Sequence, residues 1–330
     1  MDREEWTREG LLGVSGNYWQ SCTLHASVKL DLFTLIGDNK INAKELARGL
    51  DCDQRAVKTL LDALTAMGLL IKRQDRYANT NTGKSLLVKG SPHYIGHMVK
   101  HHHHLVEAWS RLDQAVKTGK PVNTRHINDE EERESFLMGM FNLAMGIAPY
   151  LTRQIDLSGR NHLLDLGGGP GTYAIHFCLE NPALMATVYD LPLTEPFAKK
   201  TIERFGLSNR INFMPGDYLI DDVNGAYDVV WLSHILHAVG PDGCQTIIEK
   251  AVSAMLPGGF LLVHDFIMND TFDGPVFPAV FSLNMLVNTE DGRSYSEGQI
   301  REMLESAGLR DIRRLPFQGP NESGVVCGVL

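Results

Sequence analysis

Apolar side chains recur at helical spacing through NYWQSCTLHASVKLDLFTLI, residues 17–36, with neither proline nor glycine among them, which predicts one long helix. A second helix is predicted after Ile41, where Asn42 and Glu45 stand at the spacing of a capping box. DQRAVKTLLDALTAMGLLIKRQDRYANT predicts a third helix ended by Gly68 and then two short strands about a polar turn. Helix, helix, helix and hairpin form a winged-helix pattern, which serves either DNA binding or packing and dimerisation. A helix over 92–118 is predicted next, with Ser91 as N-cap, Pro92 at its first position and Gly119 beyond its end. Its apolar stripe is Tyr94, Met98, Leu105, Trp109, Leu112 and Val116, with His102 in the middle and His93, His97, His101 and His104 on a neighbouring flank. GKPVNTRHINDEEERES is a charged loop, and FLMGMFNLAMGIAPYL resumes a Met-rich helix in which Met138, Met140 and Met145 read as gap fillers.

Beyond Asp156 the texture changes. HLLDLGG, MATVYDL, RINFMPG, YDVVWLS, FLLVHDF, IRRLPF and VVCGVL read as seven strands, the first five separated by helical segments. That alternation predicts an α/β fold with a mostly parallel, doubly wound, Rossmann-like sheet. The last two strands are close enough across QGPNESG to form an edge hairpin. The expected division is a mainly helical winged-helix domain over residues 1–155 and a ligand-binding domain over 156–330.

A net charge of -9 disfavours general affinity for nucleic acid or anionic lipid, and the stretch that would serve as recognition helix, residues 54–68, sets Arg55 and Lys58 against Asp62. Five scattered cysteines without CxxC suit a reducing cytoplasm better than a disulfide framework or thiolate metal site. The start, MDREEWTREG, has no apolar core for a signal peptide, and no apolar run is expected to reach the ~18 residues of a membrane span. The flank of His93, His97, His101 and His104 offers i, i+4 spacing but no carboxylate or thiolate cluster, so no metal is expected.

The strongest local signal is Asp165-Leu166-Gly167-Gly168-Gly169-Pro170-Gly171-Thr172. A strand running into clustered glycines lets backbone approach a ligand, and the following helix offers free N–H groups. It departs from GxGxxG, because Thr172 holds the third place, and from a P-loop, because no lysine is there. Asp190, in YDLP at the end of the second strand of this region, suits a ribose diol. Asp217 and Tyr218 after the third could hold an adenine. Together these indicate an adenosine-type cofactor without phosphates. WLSHILHAV then puts His234 and His237 three residues apart beyond a strand, as a metal pair, core residues, or one base and a bystander.

DLGGGPG, YDLP, GDYL, WLSHILHAV and SLNMLVNTEDGRSYSEGQIREMLESAGL, in this order, resemble the S-adenosylmethionine-dependent small-molecule O-methyltransferases, most of all the acetylserotonin (hydroxyindole) branch and its bacterial relatives. The resemblance covers nearly the whole chain. It implies a winged-helix front end that builds a homodimer, S-adenosylmethionine as cofactor, and methyl transfer to a hydroxyl of a small aromatic or polyketide-like acceptor. It assigns the cofactor to Gly167, Gly168, Gly169, Gly171, Asp190, Leu191, Asp217, Tyr218, Ser233 and His234, and substrate to Asn284 and Asn288; His102, in the middle of its helix's apolar stripe, and Met140 are further expected substrate contacts. His237 matches the general base, which would let a phenol near pKa 10 react at neutral pH. Two departures matter: Ala238 replaces the acidic residue that usually follows the histidine, and Ser294 replaces the glutamate of the plant GKERT motif. The orienting carboxylate is then expected from Asp265 in VHDF. These departures keep open a same-fold hydroxylase or decarboxylase that binds the cofactor without net methyl transfer, and the winged-helix front end keeps open a ligand-sensing regulator.

Overall fold

A computed structural model describes residues 5–123 and 130–330. Contacts divide the chain into two units, one of residues 1–105 and 134–142, the other of 106–133 and 143–330, rather than by a single cut at 155. The charged loop expected at 119–135 falls partly on residues 124–129, outside the described residues.

The first unit carries α1 (Arg8–Gly16), α2 (Tyr18–Lys29), α3 (Leu32–Ile36), α4 (Ala43–Leu50), α5 (Gln54–Ala66) and α6 (Asn81–Leu87), with strands β1 (Ile41–Asn42), β2 (Leu70–Arg73) and β3 (Arg76–Asn79) in the order β1-β3-β2. The winged-helix pattern is therefore present. The capping box forms as expected: Asn42 Oδ1 accepts from Glu45 N at 2.9 Å and Glu45 Oε2 accepts from Asn42 N at 3.1 Å. The helix expected over 17–36 is two helices, because Asp31 sits in the left-handed region at φ 54° and turns the chain so that Leu32, Phe33 and Ile36 reach the core. α1 and the start of α2 lack such a core: Trp6, Leu12, Tyr18 and Trp19 are each more than 60% exposed.

The helix expected over 92–118 is also shorter and broken. α7 spans Gly96–Trp109, and α8 (Leu112–Thr118) follows a break at Ser110-Arg111 and ends at Gly119, whose φ of 66° closes it. The buried side chains of α7 are Met98, Val99, His101, Leu105 and Ala108. His101 thus lies on the buried stripe and His102 is exposed, the reverse of the expected phase, since positions 98, 101, 105 and 108 share a face about 100° from His102. α9 (Glu130–Met145) carries Met140, half-buried, beside Gly139, which packs on Met98. Within residues 130–154 an 18-residue stretch reaches a mean hydropathy of 1.2, apolar enough by length and composition to cross a membrane, contrary to expectation. The stretch is nevertheless interrupted: α9 ends at Met145, and α10 (Ala148–Leu151) contains Pro149 and runs into a 3-10 turn at Thr152–Gln154.

The second unit is built on a seven-stranded sheet of β4 (His162–Leu166), β5 (Met185–Asp190), β6 (Ile211–Pro215), β7 (Tyr227–Ser233), β8 (Met255–Phe266), β9 (Arg310–Gln318) and β10 (Ser323–Val329), in the order β6-β5-β4-β7-β8-β10-β9. The first five strands are parallel and β10 runs antiparallel to both β8 and β9, matching all seven expected strands and the edge hairpin. Central strands read as continuous apolar runs because both faces are covered. On one side Trp231, Leu163 and Val229 pack with Ile175 and Phe177 of α11 (Thr172–Glu180) and with Ala198 and Ile202 of α12 (Glu195–Arg204). On the other, Leu164, Val230 and Leu261 pack with Ile247 and Ile248 of α13 (Pro241–Ser253). α14 (Val276–Asn288) and α15 (Glu297–Ser306) precede the hairpin. Strand order reverses at β4, so the carboxyl ends of β4, β5 and β7 converge where such sheets bind ligands.

Candidate active site

At the end of β4 the backbone must turn without side chains in the way. Gly167, Gly169 and Gly171 take φ of 70°, 54° and 78°, and a Cβ on Gly167 would meet Ile235 Cγ2 at 2.6 Å. The Gly167 N–H donates to Tyr189 O at 2.8 Å and the Gly171 N–H to Gly168 O at 2.9 Å, which fixes the loop as an open cradle before α11. Asp165 beneath it is fully buried, accepts from Ala174 N at 3.1 Å through Oδ2, and leaves Oδ1 unpartnered. Burial pushes its carboxyl up to about 7.

Asp190 closes the far side of this cradle. Its Oδ2 accepts from Gly169 N at 2.8 Å, and its Oδ1 from Leu191 N at 2.7 Å and Thr194 Oγ1 at 3.1 Å. An ionised carboxylate has about four acceptor positions, so roughly one remains, on Oδ2. Burial also raises this carboxyl. Tyr218 leans over the loop, 3.4 Å from where a Gly167 Cβ would be, and burial pushes its phenol up to about 12. Asp217 is half-buried, and its Oδ1 accepts from Leu219 N at 2.9 Å.

β7 ends at Ser233, and His234 then adopts φ 57°, a left-handed conformation costly for a histidine. The turn swings the 3-10 segment Leu236–Ala238 across the end of β8. There His237 Nδ1 lies 2.7 Å from Asp265 Oδ1, and His234 Nδ1 lies 3.4 Å from the same oxygen. Asp265 is 4% exposed and also accepts from Phe266 N at 2.8 Å. Burial alone would raise its carboxyl, but the pull of His237 and then His234 outweighs burial and holds it well below the usual range. An ionised Asp265 keeps the His237 proton on Nδ1 and leaves the Nε2 lone pair free. Ala238 and Ser294 carry no acid, so the carboxylate at this histidine comes from β8, where the sequence pointed. The segment between α14 and α15 straps the turn down: Tyr295 Oη donates to Val239 O at 2.6 Å, Asp291 Oδ1 accepts from Gly240 N at 3.1 Å, and a Cβ on Gly292 would strike the His237 carbonyl at 2.5 Å.

Three phenylalanines that sequence reasoning missed surround the histidines. Phe281 stands edge-on to His237 with centroids 4.8 Å apart, Phe266 lies 4.4 Å from His234, and Phe277 packs on Phe266 at 4.9 Å. Phe277 and Phe281 are four apart on α14, a spacing indistinguishable in sequence from a core stripe. Behind the site, His264 is fully buried beside Trp231, its Nδ1 3.0 Å from Ser233 Oγ, and burial lowers it well below the ordinary imidazole value.

The two asparagines of α14 are brought together. Asn284 Oδ1 accepts from Trp109 Nε1 at 2.9 Å and from Asn288 Nδ2 at 3.1 Å, while Asn288 Oδ1 accepts from Asn123 Nδ2 at 2.6 Å. Both ends of Asn288 are thus spent within the protein, and among the described residues Asn284 Nδ2 is left over. His102 and Met140 belong to the first unit.

Known proteins of one family resemble this chain over nearly its whole length. The family model for an O-methyltransferase domain matches residues 103–310, and that for an O-methyltransferase dimerisation domain matches 12–89. The 3-hydroxy-5-methyl-1-naphthoate 3-O-methyltransferase of Streptomyces sahachiroi is 34% identical, covering 97% of this chain and 94% of its own. The tetracenomycin polyketide synthesis 8-O-methyl transferase of Streptomyces glaucescens is 31% identical over 94% of each chain. The crystal structure of human N-acetylserotonin methyltransferase in complex with S-adenosylmethionine superimposes with a TM-score of 0.87 at 25% identity, over 100% of this chain and 99% of that one.

Proposed function

The chain belongs to the O-methyltransferase family, and from that premise we propose that it moves a methyl group from S-adenosylmethionine to a hydroxyl of a small aromatic or polyketide-like molecule, with His237 as general base. The residues present fit that cofactor. Its methionine end needs a cradle where backbone comes close, and the loop is one in which even a Cβ at Gly167 would collide. Gly167, Gly168, Gly169 and Gly171 would hold that end, and Asp190, with Leu191 at its backbone, would take a ribose hydroxyl through the acceptor position left on Oδ2. Asp217 and Tyr218 would flank the adenine, and Ser233 and His234 would face the cofactor from β7. When bound, it supplies an electrophilic methyl on a sulfonium.

The single observation carrying the reaction type is the 2.7 Å contact between His237 Nδ1 and an ionised, buried Asp265. It fixes the tautomer and aims the Nε2 lone pair outward. Nε2 takes the hydroxyl proton as the oxygen attacks, and Asp265 stabilises the imidazolium that results. A base so placed contributes roughly 10²–10⁴ in rate. Phe266, Phe277 and Phe281 give a flat apolar surface for an aromatic acceptor, and Asn284 Nδ2, held by Trp109 and Asn288, would donate to one of its oxygens.

The exposed Trp6, Leu12, Tyr18 and Trp19, within or just ahead of a region matching a dimerisation domain, support a homodimer. The acidic net charge supports a partner that is neither nucleic acid nor anionic membrane, and five free cysteines suit a cytoplasmic enzyme. The test is a panel of hydroxylated naphthoates, phenols and aromatic polyketides incubated with methyl-labelled S-adenosylmethionine. An O-methylated product from one class supports the reading. No labelled product from any, with cofactor bound, contradicts it.

A further inference from the structure

We propose that the His234–His237–Asp265 cluster is also an inhibitory site for a divalent transition-metal ion such as zinc. One ring nitrogen of each imidazole and an Asp265 oxygen lie within 4.8 Å of one another, and no other such cluster of histidine, cysteine and carboxylate side chains occurs among the described residues. Two imidazoles and one carboxylate with an open fourth position form a donor set that zinc accepts, at about 2.0–2.2 Å from each atom. Ligand atoms around a tetrahedral ion of that size stand roughly 3.3 Å apart. His234 Nδ1 and Asp265 Oδ1 already stand at 3.4 Å, whereas the 2.7 Å hydrogen bond of His237 must open by several tenths of an ångström.

A second, independent observation points to a ligand. His234 Nδ1 is buried and makes no well-formed hydrogen bond, its contact with the carboxylate being the long 3.4 Å one to Asp265 Oδ1. A histidine held at φ 57° with its inner nitrogen unsatisfied is an expensive arrangement. An ion between the three side chains would satisfy that nitrogen. The hydrogen bonds that Asp265 accepts from Phe266 N and His237 N would hold the carboxylate in place as its ligand.

The chemistry of occupation follows from the tautomer. In the free site the His237 proton is on Nδ1, facing Asp265, and the lone pair is on Nε2. When the ion takes the Nδ1 lone pair, the proton shifts to Nε2 and the ring stays neutral. Nε2 then carries a hydrogen and cannot accept one from the acceptor hydroxyl. The ion therefore switches the base off without blocking the glycine loop. The inhibitory consequence rests on the proposed role of His237; the binding site does not.

The probe that separates the two is Co²⁺, whose visible absorption reports nitrogen and oxygen ligation in the whole chain without any turnover. The expected result is one Co²⁺ per chain, displaced by Zn²⁺. Affinity should be lower by at least about tenfold in His234→Gln and in His237→Gln and unchanged in His162→Gln, an exposed control. Thermal melting of each variant checks that it is folded. Micromolar Zn²⁺ should slow wild-type turnover reversibly, with activity restored by chelation and cofactor affinity retained. Equal Co²⁺ binding by folded His234→Gln and wild type overturns the site. Stoichiometric binding at these residues with undiminished turnover overturns the inhibition.

Discussion

Asp190 shows how one side chain is shared between structure and ligand. Three of its roughly four acceptor positions hold the loop and the turn after β5, so a ribose hydroxyl meets an already fixed carboxylate. Asp190→Ala is expected to weaken S-adenosylmethionine binding about 10- to 100-fold, the worth of one hydrogen bond to a charged group, measured by calorimetry on a variant with an unchanged melting profile. Wild-type affinity in that variant would remove Asp190 from the site. At this scale the sequence was legible wherever backbone chemistry demanded a residue type: glycines at positive φ in the loop, Asn42 and Glu45 in a capping box, an acid at a strand's carboxyl end. The geometry around His237 was legible in kind, since a chain without an acid at Ala238 must draw the orienting carboxylate from another strand end, as it does from Asp265. The left-handed turn at His234 was not, because nothing local marks a histidine that tertiary contacts hold there.

Among elements, the strands were easier to read than the helices. Buried parallel strands are short apolar runs bounded by turns, and all seven of the second unit stand where the pattern put them. Helix phase and breaks depend on what the helix packs against: the break at Asp31 and the burial of His101 instead of His102 answer to partners distant in sequence. The phenylalanines of α14 were overlooked for a related reason, since an i, i+4 aromatic pair looks the same whether it faces a core or an acceptor. α1 and α2 give the prediction at this scale. Their apolar side chains are exposed in a single chain, and burying one large side chain is worth about 1.5–3 kcal/mol. A double variant, Leu12→Asp with Trp19→Asp, is expected to shift the protein from dimer to monomer in light scattering. A wild-type protein that is already a stable monomer would contradict the homodimer.

For the molecule as a whole, the cofactor loop is built at a cost to stability that depends on pH. Asp165, at about 7 in the fold against an ordinary carboxyl value near 4 in the unfolded chain, keeps its proton longer when folded. Between about pH 4 and 7 the native state binds more protons, so this residue's contribution to stability falls as pH rises and levels off above 7. Asp165→Asn should remove that slope, seen as a smaller loss of denaturation midpoint between pH 5 and pH 7.5 than in the wild type; identical slopes would show that Asp165 is ionised in the fold. The same unit that carries this buried acid carries the ionised Asp265, and the contrast follows from neighbours: Asp265 has two histidines and Asp165 has none. The central step of the proposed reaction is transfer of the acceptor's proton to the Asp265-oriented His237. It is tested most directly by single-turnover methylation of the best acceptor by His237→Gln, with cofactor affinity measured on the same sample. The predicted result is unchanged cofactor affinity and a methyl-transfer rate lower by roughly 10²–10⁴; a rate within a few-fold of wild type at the same affinity would contradict it.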